Sequence, residues 1–212
     1  MNKNIEFDKN GNQKTTFIYK ILRILASIVF KTIFPIEFIG AEKLNSYDAP
    51  FVLVSNHKSF MDPVALAAPL KKYPIHFLAK KELTKFKSFA YILKKAYMIP
   101  IDRKGTDLKA IRESLSVLKN KGVLGLFPEG TRHKPGIMLE PEGGAALLVM
   151  RSGVPVIPAL INGKIKLFKK TKVFFGEPIV YDDILAQGVS THTCELFTQR
   201  MKYVYSKFVE NL

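Results

Sequence analysis

From residue 51 to residue 176 short apolar runs alternate with longer segments of helical spacing, which constrains the fold more than any other feature. The runs "FVLVS" (51–55), "IHFLA" (75–79) and "VLGLF" (123–127) read as strands, and "YMIPI" (97–101), "VPVIPALI" (154–161) and "KVFFG" (172–176) as extended segments. Between them "PVALAAPL" (63–70), "KSFAYILKK" (87–95), "DLKAIRESLSVLKN" (107–120) and "GAALLVMRS" (144–152) read as helices. In the third of these, Leu108, Ile111, Leu115 and Leu118 share one face, and Gly122 supplies a stop. From Thr191 onward, Leu196, Met201, Val204, Tyr205 and Phe208 mark a closing amphipathic helix. Strands alternating with helices over short connections predict an α/β fold: a single layered domain with a largely parallel central sheet flanked by helices. With 212 residues, 47% of them hydrophobic, the chain is long enough for one such core and short for two.

Ahead of this region, "FIYKILRILASIVFKTIFPIEFI" follows a polar start. Lys20, Arg23, Ser27 and Lys31 fall in one narrow stripe of a helix whose remaining surface is apolar. One reading is a membrane-interface helix whose cations meet phosphate headgroups; the other is a core helix with a solvated edge. The wide apolar arc favours the interface. Pro35 ends or kinks the segment. No apolar run reaches 18 residues and no cleavable signal peptide is evident, so neither a simple span nor a secretory leader is expected. The net charge of +15 points to an anionic partner: nucleic acid, an anionic membrane or acidic substrates. No nucleic-acid-binding motif occurs and the basic residues are dispersed, so nucleic acid is not expected. Cys194 is the one cysteine, which excludes an internal disulfide and suits a reducing compartment.

Three polar clusters follow strand-like runs: "NHKSFMD" (56–62), "DRKG" (102–105) and "PEGTRHKPG" (128–136). If the strands are neighbours, all three meet beyond one edge of the sheet, where ligands of such folds bind. His57 and Asp62 stand five apart, too far to face each other on a regular helix and within reach across a strand-to-helix turn. A carboxylate on one imidazole nitrogen fixes the tautomer and leaves the other nitrogen as a base. Asp62 before Pro63 also reads as a helix N-cap, and His57 as a structural histidine. There is no G-x-S-x-G, no phosphate-binding glycine signature and no histidine or cysteine pair with metal-ligand spacing, so neither a metal nor a cofactor is expected. A base at His57 would then act on a nucleophile that arrives with the substrate, such as a hydroxyl. In "FPEGTRHK", Gly130 permits a tight turn, and Thr131 and Arg132 suit an anion that Arg103 joins from the side. Solvated surface arginines, with Glu129 anchoring Arg132, remain the alternative.

The blocks "NHKSFMD", "IPIDR", "FPEGTR" and "VPVIPAL" stand in the order and rough spacing of the four motif blocks of glycerolipid acyltransferases. Over about residues 36–180 the chain resembles the bacterial lysophosphatidate-acylating type of that family. An N-H-x-x-x-x-D block alone is weak; four ordered blocks are specific. The resemblance implies His57 as general base and Asp62 as its orienting partner. It implies Arg103 on the acceptor's phosphate, and Glu129, Gly130, Thr131 and Arg132 shaping the acceptor site. Pro155 and Pro158 would wall the acyl-donor region. The implied partners are lysophosphatidate, an acyl-CoA or acyl-carrier protein donor, and a membrane surface, at the cytoplasmic face of a bacterial inner membrane. Residues 1–40 would be the polar start and interface segment, and 41–212 the catalytic domain. "DRKG" lacks the second arginine some members carry, and "EPEG" stands where many carry lysine, which bears on substrate preference. Other acceptors, glycerol 3-phosphate or another lysophospholipid, remain open. Outside the family, the alternative is a basic binding protein without catalysis.

Overall fold

The structure, a computed structural model, describes residues 8, 13–102, 105, 107–130 and 143–210. Its strands are β1 (Ile36–Ile39), β2 (Phe51–Ser55), β3 (Ile75–Lys80), β4 (Met98–Ile101), β5 (Val123–Leu126), β6 (Val156–Asn162) and β7 (Thr171–Phe175). They form one sheet in the order β1-β7-β6-β2-β5-β3-β4, parallel throughout except for the antiparallel pair β6 and β7. The helices are α1 (Phe17–Thr32), α2 (Ala41–Ser46), α3 (Asp62–Ala67), α4 (Lys87–Lys95), α5 (Leu108–Lys119), α6 (Gly143–Ser152), α7 (Asp182–Leu185) and α8 (Thr191–Glu210). A 3-10 turn at Lys81–Thr84 leads into α4.

The central strands read as unbroken apolar runs because both faces of the sheet are covered. Val52 and Val54 point into a layer with Leu124, Leu126, Val156 and the inner faces of α5, α6 and α8. Phe51 and Leu53 point the other way, to Val123, Phe77 and the inner faces of α1, α2 and α3. Gly125 pairs with Phe77, and the Phe77 ring occupies the space a Cβ at Gly125 would need.

The first helix is buried on one side and exposed on the other. Thr16 caps it by accepting the Tyr19 N–H, and Tyr19, Ala26 and Phe30 are buried against the domain. Phe17, Ile21, Ile24, Leu25 and Ile28 remain exposed on the outer side. The strand β1 follows at once and pairs with β7, so the sheet draws its first strand from before residue 41. Strands β2 and β5 are neighbours, so their following loops meet. The loop after β4 leaves the same edge two strands farther on, beyond β3. The expected convergence of the three polar clusters therefore holds as adjacency for the first and third only.

Candidate active site

The loop after β2 is organised by one carboxylate oxygen. Asp62 is fully buried, and its Oδ2 lies 2.9 Å from His57 Nδ1. The same oxygen accepts the N–H groups of Lys58 and Ser59, each at 2.6 Å. Asp62 opens α3, with Met61 as the cap residue and Pro63 in the first turn. Its side chain therefore does not cap the helix. It turns back to the preceding loop because three donors converge there, which corrects the N-cap reading. With Nδ1–H donating to Asp62, the Nε2 lone pair is the basic atom.

The histidine is held by two further contacts. Its ring stacks on Phe127, centroids 4.1 Å apart and planes 20° from parallel, and Phe127 stacks in turn on Phe77 at 5.5 Å. Its backbone N–H donates to Glu129 Oε2 at 3.3 Å. Glu129 is buried, and the Gly130 N–H closes the turn onto the Phe127 carbonyl at 3.0 Å, with Gly130 at φ +62°. That backbone region suits glycine, as the tight turn in "PEG" requires. The His57 side chain is 13% exposed, enough for one edge of the ring to meet a substrate.

Behind the loop, Asn56 extends the pairing of β2 with β6 past the last strand residue. Its side chain accepts the Ile161 N–H at 2.8 Å and donates to the Ile161 carbonyl at 3.0 Å. The buried Tyr205 hydroxyl, from α8, lies 2.5 Å from the Val54 carbonyl and 2.9 Å from that of Ala159, donating to this pair. Burial pushes its phenol far up from the ordinary value, so it remains a donor.

Of the other expected site residues, Pro158 is buried in β6 opposite Val54, and its carbonyl accepts the Gly176 N–H. Pro155 is exposed just before β6 begins, and its carbonyl accepts the Val52 N–H. Because β2 and β6 are parallel, that is the edge of the sheet opposite to His57, so Pro155 is not brought to the site. Arg103, Thr131 and Arg132 lie outside the described residues. Sequence reasoning missed Asn56, Phe127 and Tyr205. Asn56 and Phe127 open the blocks "NHKSFMD" and "FPEGTR" and were legible there as the polar and aromatic residues at a strand end, though no role was read for either. Tyr205 carried no local signal, since its partners are 151 and 46 residues away.

The Acyltransferase family model matches residues 35–162. A 1-acyl-sn-glycerol-3-phosphate acyltransferase of Bacillus subtilis (strain 168) is 33% identical over 137 residues, 62% of this chain and 68% of that protein. One from Streptococcus pneumoniae is 30% identical over 186 residues, 82% of this chain and 69% of that protein. The crystal structure of the 1-acyl-sn-glycerophosphate acyltransferase PlsC from Thermotoga maritima superposes with a TM-score of 0.69, covering 92% of this chain and 79% of that one. At 24% identity the superposition speaks for the fold alone.

Proposed function

Because the chain belongs to the Acyltransferase family, we propose that it transfers an acyl chain from an acyl thioester to the 2-hydroxyl of 1-acylglycerol 3-phosphate, giving phosphatidate. The observation that carries this reading is the His57–Asp62 pair, presented at the carboxyl end of β2 with its basic nitrogen turned away from the carboxylate. His57 Nε2 takes the proton from the acceptor hydroxyl, and the oxygen attacks the thioester carbonyl. The tetrahedral oxyanion collapses, the carbon–sulfur bond breaks, and the imidazolium returns its proton to the departing thiolate. Asp62 holds the Nδ1–H tautomer and stabilises the imidazolium. General-base help of this kind is worth about 10² to 10⁴ in rate. No acyl-enzyme is involved, because the nucleophile belongs to the acceptor.

The acceptor's phosphate falls to Arg103 and Arg132, and Glu129, Gly130 and Thr131 shape the acceptor site. Pro158 backs the donor side. The enzyme works on a membrane surface, with the catalytic domain following an N-terminal interface segment. Among the described residues no helix is long and apolar enough to cross a membrane. The exposed face of α1 (Phe17, Ile21, Ile24, Leu25 and Ile28) supports an interfacial position instead.

The test is acyl transfer by the purified full chain in lipid vesicles, with labelled acyl thioester, offering lysophosphatidate and glycerol 3-phosphate separately. Phosphatidate formed from lysophosphatidate and lost in His57→Ala is the expected result. Transfer to glycerol 3-phosphate alone would reassign the acceptor. Near-wild-type turnover by His57→Ala at saturating substrate would remove the base assignment.

A further inference from the structure

We propose that α4, with the residues just ahead of it, is a second bilayer contact beside α1, built for an anionic phospholipid surface. This rests on the reading of the protein as a membrane-lipid acyltransferase, and adds a second seat to the one at α1.

The segment 85–97 reads "KFKSFAYILKKAY", with four lysines and no acidic residue. Helix α4 is nine residues long and none of its side chains is fully buried. Its inner side, Ala90 and Leu93, closes over a cleft of about 310 Å³ together with Ala79, Met98 and Pro100. On one outer flank Phe86, Phe89 and Ile92 follow at steps of three and are 76%, 43% and 43% exposed. On the other flank lie Lys87 and Lys95, with the Lys95 ammonium 5.4 Å from the centre of the Tyr91 ring, while Lys94 lines the cleft beside Ala90 and Leu93. A short helix with bulky apolar side chains on one flank, cations on the other and little overall hydrophobicity is the physical description of an interfacial helix. Each lysine near an anionic surface adds an attraction that salt screens.

The placement of α4 agrees. The Thr16 N–H, at the start of α1, donates to the Tyr97 hydroxyl at 3.3 Å, and the Tyr19 and Tyr97 rings meet edge to face at 5.2 Å. The N-terminal end of α1 thus abuts the chain two residues past α4. Two elements with exposed apolar faces are joined at one corner of the molecule. An acidic protein surface would match the lysines, but it leaves Phe86, Phe89 and Ile92 without a counterpart. A bilayer satisfies both flanks: headgroup phosphates for the cations and acyl chains for the rings.

The experiment is co-sedimentation of the full chain with phosphatidylcholine vesicles carrying increasing phosphatidylglycerol. Three variants are compared with wild type: Phe86→Ser/Phe89→Ser, Lys85→Gln/Lys87→Gln, and Ile24→Ser/Leu25→Ser/Ile28→Ser in α1. Thermal melting of each shows that it is folded; serine at position 86, the residue capping α4, favours the helix. We expect the phenylalanine pair to weaken partitioning about tenfold. The lysine pair should remove most of the dependence on phosphatidylglycerol, an effect that shrinks at about 0.5 M salt. If the α1 variant loses binding while both α4 variants keep it, the second contact is overturned and the α1 anchor stands. If wild type binds no vesicles, both readings fall. If the α4 variants bind vesicles normally but no longer retain an acidic acyl-carrier protein, the surface belongs to a protein partner and the bilayer assignment is overturned.

Discussion

Asp62 concentrates three donors on one oxygen, so its charge and its shape serve separate ends. Asp62→Asn keeps the volume but puts a weaker acceptor, or an amide N–H, against His57 Nδ1 and the two backbone N–H groups. Turnover should fall by about 10² to 10⁴ with little change in KM for the acceptor, measured in the vesicle assay. A change confined to KM would instead place Asp62 in substrate binding. A second histidine, His76, is buried on β3 with Nδ1 3.2 Å from the Val123 carbonyl, and burial pushes its pKa from the ordinary 6.5 down to about 4. The unfolded chain takes up this proton near pH 6.5 and the folded chain only near pH 4, so His76 lowers stability progressively as pH falls through that window. Melting curves of His76→Gln from pH 7 to about pH 4 should show a shallower decline than wild type. At this scale the contact between His57 and Asp62 was legible from their spacing and the strand before them. The direction of the Asp62 side chain was not, because it is set by where the Lys58 and Ser59 N–H groups turn.

The Phe77 ring of β3 lies over Gly125 of the neighbouring strand β5 because Gly125 has no side chain. Gly125→Ala drives a methyl into the Phe77 ring and should cost about 1–3 kcal/mol, read as a lowered melting midpoint. Phe77→Leu in the same chain should recover part of that loss; no recovery would place the strain in the backbone of β5. Elements with a strong pattern were legible nearly to the residue: 51–55 for β2 and 87–95 for α4 coincide with the structure. Three short elements, β1, α2 and α7, were not, since each has four to six residues and no periodicity to read. The reversed direction of β7 did leave a trace. Only residues 163–170 join it to β6, too few for the crossover that a parallel partner needs. In helix α1 the apolar arc did not tell the buried side (Tyr19, Ala26, Phe30) from the exposed one (Phe17, Ile21, Ile24, Leu25, Ile28), because both carry apolar side chains.

Across the whole molecule the charge of +15 acts at long range while the geometry of the His57 loop does not. Raising salt should therefore raise KM for lysophosphatidate on anionic vesicles more than it lowers turnover, with the difference shrinking on neutral vesicles. Equal effects on both parameters would mean that the charge acts within the site. The sheet is also closed from both ends of the chain, since β1 pairs with β7 and the Tyr205 hydroxyl reaches the carbonyls of Val54 and Ala159. That last tie couples α8 to the floor of the histidine loop, since one hydroxyl serves the ends of two neighbouring strands. A helix with no residue in the loop thereby holds the strand ends from which the loop springs.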